Sequence, residues 1–363
     1  VAKSKQKSSQ AAGKIAKNQL YVCAQPEPAP VVLPPDLLPE RESAIRIGAK
    51  KWVNGTILHY HFLDRISAPT WKWVEAQRKI VRSAFGTWKA LGVGLSFVEV
   101  ADATEAEIRI GCQQGAGSWS YVGTDNLNYS DLGRTMNFGW DLTTAWGQAT
   151  ALHEIGHALG LSHEHQNPQS GIVWNDSKVY EHFSGPPNNW NQTKIFNNIL
   201  KKLTASEVEG SGWDSASIME YPFDPGLISA PKPYDTKGIG QNVVLSASDK
   251  DWVRRWYPAT TAPVPIAVMQ LERLDSAPGQ QTDFQFKPDA TRKYRIQTVG
   301  EADCLLVVFE VRDGEPRHFV AQDDSGANEN LSLKVKMVKD RTYILRVRVN
   351  FVNSPQGVGL LIT

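Results

Sequence analysis

The chain is poor in cysteine, with three in 363 residues, at positions 23, 112 and 304. So few and so scattered, they exclude a disulfide framework and a cysteine-only zinc knuckle, and they leave the redox compartment open. There is no surplus of either charge. Lys+Arg 39 against Asp+Glu 38 leaves a formal +1, which removes any global electrostatic case for nucleic acid or an anionic membrane as partner. No apolar run approaches the roughly 20 residues that cross a bilayer, so no transmembrane segment is expected and the chain reads as soluble. It opens at Val1 without the basic, apolar and small-residue regions of a signal peptide, and any such leader is expected to have been removed. No internal repeat is found. Apolar residues are plentiful: 41% are hydrophobic and 9% aromatic, ample for two domains with tails.

The opening "VAKSKQKSSQAAGKIAKNQ" has almost no large apolar residues and reads as a basic mobile arm. "QPEPAPVVLPPDLLPERES" follows, where repeated proline favours an extended strap over helix. Residues 1–43 are thus expected to form an arm and a propeptide-like strap, with a packed domain over 44–258. Within it "GTILHYHFL" alternates as a half-buried strand, and Trp73, Ile80, Val81, Ala84, Phe85, Trp88 and Leu91 recur at helical spacing. "LSFVEV", "AEIRIG" and "RTMNFGWD" read as strands, with "QQGAGSWSYVGTDNLNYSDLG" as a long connection. "AWGQATALHEIGHALGL" is a second helix. Short helices are expected around 195–203, and Ser246 with Asp249 marks a capping box for a closing helix. "ATTAPVP", 259–265, is a linker, beyond which a period of two over 266–363 predicts a small β-sandwich. The expected fold is α+β: a mixed sheet with a backing helix and a site-bearing helix, followed by an all-β domain.

Four of the eight histidines fall in "ALHEIGHALGLSHEHQNP", residues 151–168. His153 and His157, four apart, share a helix face, so both imidazoles reach one cation; Glu154 lies beside them. Gly160 lets the helix stop in a left-handed conformation, and His163 then approaches from another direction. Three nitrogen ligands leave a fourth position open, the mark of a catalytic zinc site. HExxH alone also fits two surface histidines and a salt-bridging glutamate. All five positions of HExxHxxGxxH together favour zinc.

At these residues the chain resembles the metzincin metallopeptidases, whose pattern includes a downstream Met-turn. "SIMEYPF", 217–223, carries Met219 and Tyr221 in that place. Glu164 after the third histidine, and the tyrosine, narrow the resemblance to the astacin-like branch. "IRIG", "GSWSYVGTD", "TMNFGW" and "HEHQNP", in this order, are similar to a bacterial secreted group of that branch. The likeness spans about residues 44–258. It implies a metzincin-type zinc protease domain, with Zn2+ on His153, His157 and His163, Glu154 as general base, and Met219 as an apolar floor. Tyr221 is implied as a movable metal ligand that swings away to stabilise the oxyanion. Two departures limit what carries over: Glu220 stands where many astacins have histidine, and "QNP" replaces the charged run common in animal members. Substrate preference is therefore not transferable, and the disulfide pattern of animal astacins is absent.

The same resemblance places Met136, Asn137, Phe138 and Gly139 on an edge strand above the cleft, able to pair with an extended protein or peptide substrate; an ordinary interior strand is the alternative. "CAQPE" has the spacing of the cysteine-switch segment of matrix metalloproteinase propeptides, so Cys23 is expected to hold the water position in a latent form. A free tail cysteine, or pairing with Cys112, are the alternatives. Glu164 is expected to meet a new N-terminus released near Ala44 by an activating protease. His59 and His61 lack a third ligand and read as ordinary histidines; His165 reads as a neighbour of the site. "DDSG", 323–326, fits a turn better than a Ca2+ site. The last hundred residues resemble the bacterial pre-peptidase C-terminal domain, which implies export. The expectation is a secreted, latent, monomeric zinc endopeptidase; a non-enzymatic protein with structural zinc and a narrow zinc amidase are the opposed readings.

Overall fold

The computed structural model describes residues 22–26, 50–64, 71–129, 133–209, 212–274, 277, 280–300, 302–312, 315–324, 330–352 and 357–363. The basic arm, the strap after Pro26, the expected domain start at Ala44 and part of "DDSG" lie outside them.

Alternation in "ILHYHF" makes β1 (Ile57–Phe62), with Leu58, Tyr60 and Phe62 buried. Helix α1 (Glu75–Lys89) lays Val81, Ala84, Phe85 and Trp88 into the same core. Four short strands complete a five-stranded sheet: β2 (Ser96–Glu99), β3 (Ile108–Gly111), β4 (Trp119–Ser120) and β5 (Met136–Asn137), in the order β2-β1-β3-β5-β4. The sheet is mixed, with only β4 antiparallel to its neighbour.

The edge-strand expectation for Met136–Gly139 is overturned. β5 lies between β3 and β4, and Met136, Asn137 and Phe138 are 0% exposed. Gly139 is pinned as well, donating to Ser118 Oγ at 3.0 Å while its carbonyl accepts Gly115 N at 2.9 Å. The Gly- and Ser-rich connection folds back and supplies the outermost strand itself, so β4 is the edge.

Helix α2 (Ala145–Ala158) opens on Thr144, whose hydroxyl accepts Gly147 N–H at 3.0 Å. It is buried on nearly every side because it separates the sheet core from the site. Trp88 packs in that core at 0% exposure, donating its indole N–H to Leu152 O at 3.1 Å. Trp88→Ala is expected to remove about 3–5 kcal/mol from the urea unfolding of this domain; a loss under about 1 kcal/mol, the size of an average substitution, would contradict a packed core at this position.

Beyond α2 a second cluster gathers on β6 (Val173–Trp174), α3 (Asp176–Ser184) and β7 (Ile228–Ala230), with Phe183, Trp190, Ile199 and Phe223 at its centre. Val22 and Cys23 are buried in it. The closing helix α4 (Ala247–Trp256) has the Ser246–Asp249 capping box.

A separate core fills the sandwich. One sheet runs β13-β12-β15-β10-β8: Glu315–Asp324, Ala302–Arg312, Tyr343–Val352, Gln281–Phe286 and Val264–Pro265. The other runs β14-β11-β16-β9: Ser332–Met337, Arg292–Val299, Val358–Ile362 and Leu271–Leu274.

Candidate metal centre

His153 and His157 project one turn apart from α2. Gly160, at φ +104°, reverses the chain so that His163 returns to them. The Nε2 atoms of His153 and His157 lie 3.3 and 2.9 Å from Nε2 of His163. Each of the first two rings gives its Nδ1–H to a backbone carbonyl, His153 to Ile218 and His157 to Leu161, both at 2.7 Å. A carbonyl only accepts, so Nδ1 carries the proton and Nε2 of a neutral ring presents a lone pair. Two lone pairs therefore face Nε2 of His163, an arrangement suited to one shared cation.

Cys23 Sγ joins them. The four ligand atoms, from Cys23, His153, His157 and His163, lie within 4.8 Å of one another, and all four residues are buried. The electrostatics agree with a metal centre. Burial holds the His153 imidazole down to about 4, and holds His157 and His163 well below the usual range, so the rings are neutral. Burial, then the charge of Glu154, pushes the Cys23 thiol up; a divalent ion opposes both effects and favours thiolate. The donor set, three imidazoles and one thiol, fits zinc.

Glu154 is 0% exposed, and burial raises its carboxyl well above the ordinary range. Its Oε2 accepts from Cys23 Sγ at 3.5 Å, and Oε1 has no hydrogen-bond partner among the described residues. Met219 lies under the helix: a Cβ on Gly156 would stand 2.6 Å from its sulfur, which is why glycine separates Ile155 from His157. Tyr221, 2% exposed, packs its ring 4.3 Å from that of His163 and donates its hydroxyl to the carbonyl of Cys23. Ala24 N–H donates to Ser118 O at 2.9 Å, so the strap lies against the start of the edge strand. All three cysteines are free thiols, and Cys23 is not paired with Cys112.

Other residues of the site carry weak sequence signals. Asp249 caps α4, yet its carboxylate also accepts Ser217 Oγ at 2.5 Å and Ile218 N at 2.8 Å. It therefore holds the turn whose Ile218 carbonyl orients His153. Glu220 accepts Trp213 Nε1 at 2.5 Å and Tyr221 N at 3.0 Å. His165 backs Tyr221 at 4.5 Å between ring centres and bonds Asn198 O through Nε2 at 2.8 Å. His59 meets Glu107 at 3.3 Å and His61 meets Val100 O at 2.9 Å, apart from this cluster. Glu164 faces a cavity of about 100 Å³ lined by Lys50, Lys51, Asp249, Trp252 and Trp256. Burial raises its carboxyl to about 7, and no cation pairs with it among the described residues; Lys50 and Lys51 pair instead with Asp125 and Glu209.

A family model described as astacin, peptidase family M12A, matches residues 45–258. Protein SpAN of Strongylocentrotus purpuratus is 28% identical over 196 residues, which are 50% of this chain and 28% of that protein. The solved structure of myroilysin is 32% identical and covers 59% of this chain and 98% of that one, with a TM-score of 0.52. The pre-peptidase C-terminal domain of collagenase from Bacillus anthracis is 12% identical over 29% of this chain and 97% of that one, with a TM-score of 0.23. With the three histidines, Glu154 and the Met-turn all inside the matched span, the chain belongs to the astacin family of zinc peptidases, peptidase family M12A.

Proposed function

We propose that the whole chain is a secreted zinc endopeptidase made in a latent form, with Cys23 as the fourth metal ligand and the strap lying in the cleft. The convergence of Cys23 with His153, His157 and His163 within 4.8 Å carries this reading. When bound, zinc supplies Lewis acidity, lowering the pKa of water to about 7 and polarising a scissile carbonyl.

The chain's own residues supply the rest. Glu154, with Oε1 unpartnered, takes the proton from the attacking water as hydroxide adds to the carbonyl carbon. It returns that proton to the nitrogen as the C–N bond breaks. Tyr221 is the candidate donor to the oxyanion once the Cys23 carbonyl leaves its hydroxyl. The edge strand β4 is the candidate receptor for an extended protein or peptide, since unpaired backbone groups bind with little demand on sequence.

Activation fits a protease cut near Ala44. The new ammonium terminus would enter the cavity and pair with Glu164, whose buried carboxyl lacks a cation. The protease domain works as a monomer, and the sandwich accompanies export; recovery of the chain from culture medium checks the latter.

Stripping the metal from the processed chain with a strong chelator is expected to reduce casein hydrolysis to background, and one equivalent of zinc to restore it. Hydrolysis that persists in metal-free protein would contradict the mechanism.

A further inference from the structure

Three side chains of the sandwich meet residues 51–55 of the protease domain. Arg348 on β15 gives Nη1–H to the carbonyls of Lys51 at 3.3 Å and Trp52 at 3.1 Å. Gln281 on β10 gives its amide N–H to Asn54 O at 2.9 Å. Arg346, locked by Asp283 through bonds of 3.0 and 2.9 Å, presses on Gly55, where a Cβ would stand 2.6 Å from the guanidinium carbon. These donors read backbone, so they fix the path of the segment itself.

That segment continues to the metal helix. The Trp52 indole donates to Ala158 O at 2.7 Å, and its backbone N–H donates to Tyr257 Oη at 3.2 Å. Tyr257 in turn donates to Leu159 O at 2.7 Å. Carbonyls at the end of a helix have no partner within it, so Trp52 and Tyr257 satisfy two that burial would otherwise orphan. The next turn packs as closely: a Cβ on Gly160 would lie 3.2 Å from Lys50 O, and one on Gly123 only 1.6 Å from the same atom. This turn also aims the ligands. Leu161 N–H bonds Gly156 O at 3.0 Å, Leu161 O takes the Nδ1–H of His157, and His163 follows two residues on.

We infer that the C-terminal sandwich braces the metal centre. Arg348 and Gln281 are positioning residues that fix 51–54 and, through Trp52 and Tyr257, the turn that sets His157 and His163. The inference rests on the zinc reading above and assigns the sandwich work inside the folded enzyme in addition to export.

The test uses the full zinc-loaded chain and two readouts that need no activity: the rate of zinc loss to excess chelator, and amide hydrogen exchange over residues 158–162. Arg348→Ala is expected to speed zinc loss about tenfold, the lower end of what outer-shell partners contribute, and to raise exchange in the turn. Arg348→Lys, which restores a donor, recovers part of both. Unchanged zinc loss and exchange in a folded Arg348→Ala chain overturn the brace. If that variant does not fold, Gln281→Ala is measured in the same way. Faster zinc loss and exchange there support the inference, and no change overturns it. A wild-type chain that binds no zinc counts against the zinc reading instead, and exchange over 158–162 in the metal-free variants still decides the brace.

Discussion

Glu154→Gln is expected to lower kcat/KM of the processed enzyme about 10²–10⁴-fold while zinc stays bound. A thousandfold loss corresponds to about 4 kcal/mol of transition-state stabilisation. The expectation follows from position and environment together. Glu154 is one residue from a ligand, fully buried, with one carboxylate oxygen free of partners. Burial raises its affinity for a proton, which suits a group that must collect one and give it up again. Glutamine keeps the shape and the zinc ligands but cannot take the proton. A variant retaining activity within about tenfold would move the base to another residue.

Cys23→Ser is expected to release latency in the uncut chain. The thiol sits among the three ligand nitrogens, and thiolate is a far better zinc ligand than a serine hydroxyl. A strap that keeps about 99% of molecules closed masks activity about a hundredfold, and weakening its metal contact should return most of that. The Tyr221 bond to the Cys23 carbonyl and the Ala24 bond to Ser118 remain in the variant, so recovery is expected to fall short of full processing. A folded, zinc-loaded Cys23→Ser chain as inactive as the wild type would show that the backbone of the strap, and not its sulfur, blocks the cleft.

How much of this was legible depends on how local each signal is. HExxHxxGxxH is carried by spacing on one helix and one glycine turn, so His153, Glu154, His157, Gly160 and His163 could be placed together from sequence. The Met-turn was visible as "SIMEYPF", but its support was not: Asp249 reads as a capping residue, and its second role on Ser217 and Ile218 joins positions some thirty residues apart. The resemblance puts the edge at Met136–Gly139, whereas β4 forms it; β4 has two residues in a Gly- and Ser-rich stretch, too short for any period, so residue pattern alone does not reveal the true edge. Arg348 and Gln281 look like outward residues of alternating strands, and only the packing of the domains gives them a target.

The most direct measurement is casein hydrolysis by the zinc-loaded full chain before and after limited proteolysis that removes the residues preceding about Ala44. Negligible hydrolysis is expected before the cut, strong hydrolysis after it, and none after it when Glu154 is glutamine. A cut, zinc-loaded chain that hydrolyses neither casein nor a mixed peptide pool would contradict the assignment as an endopeptidase.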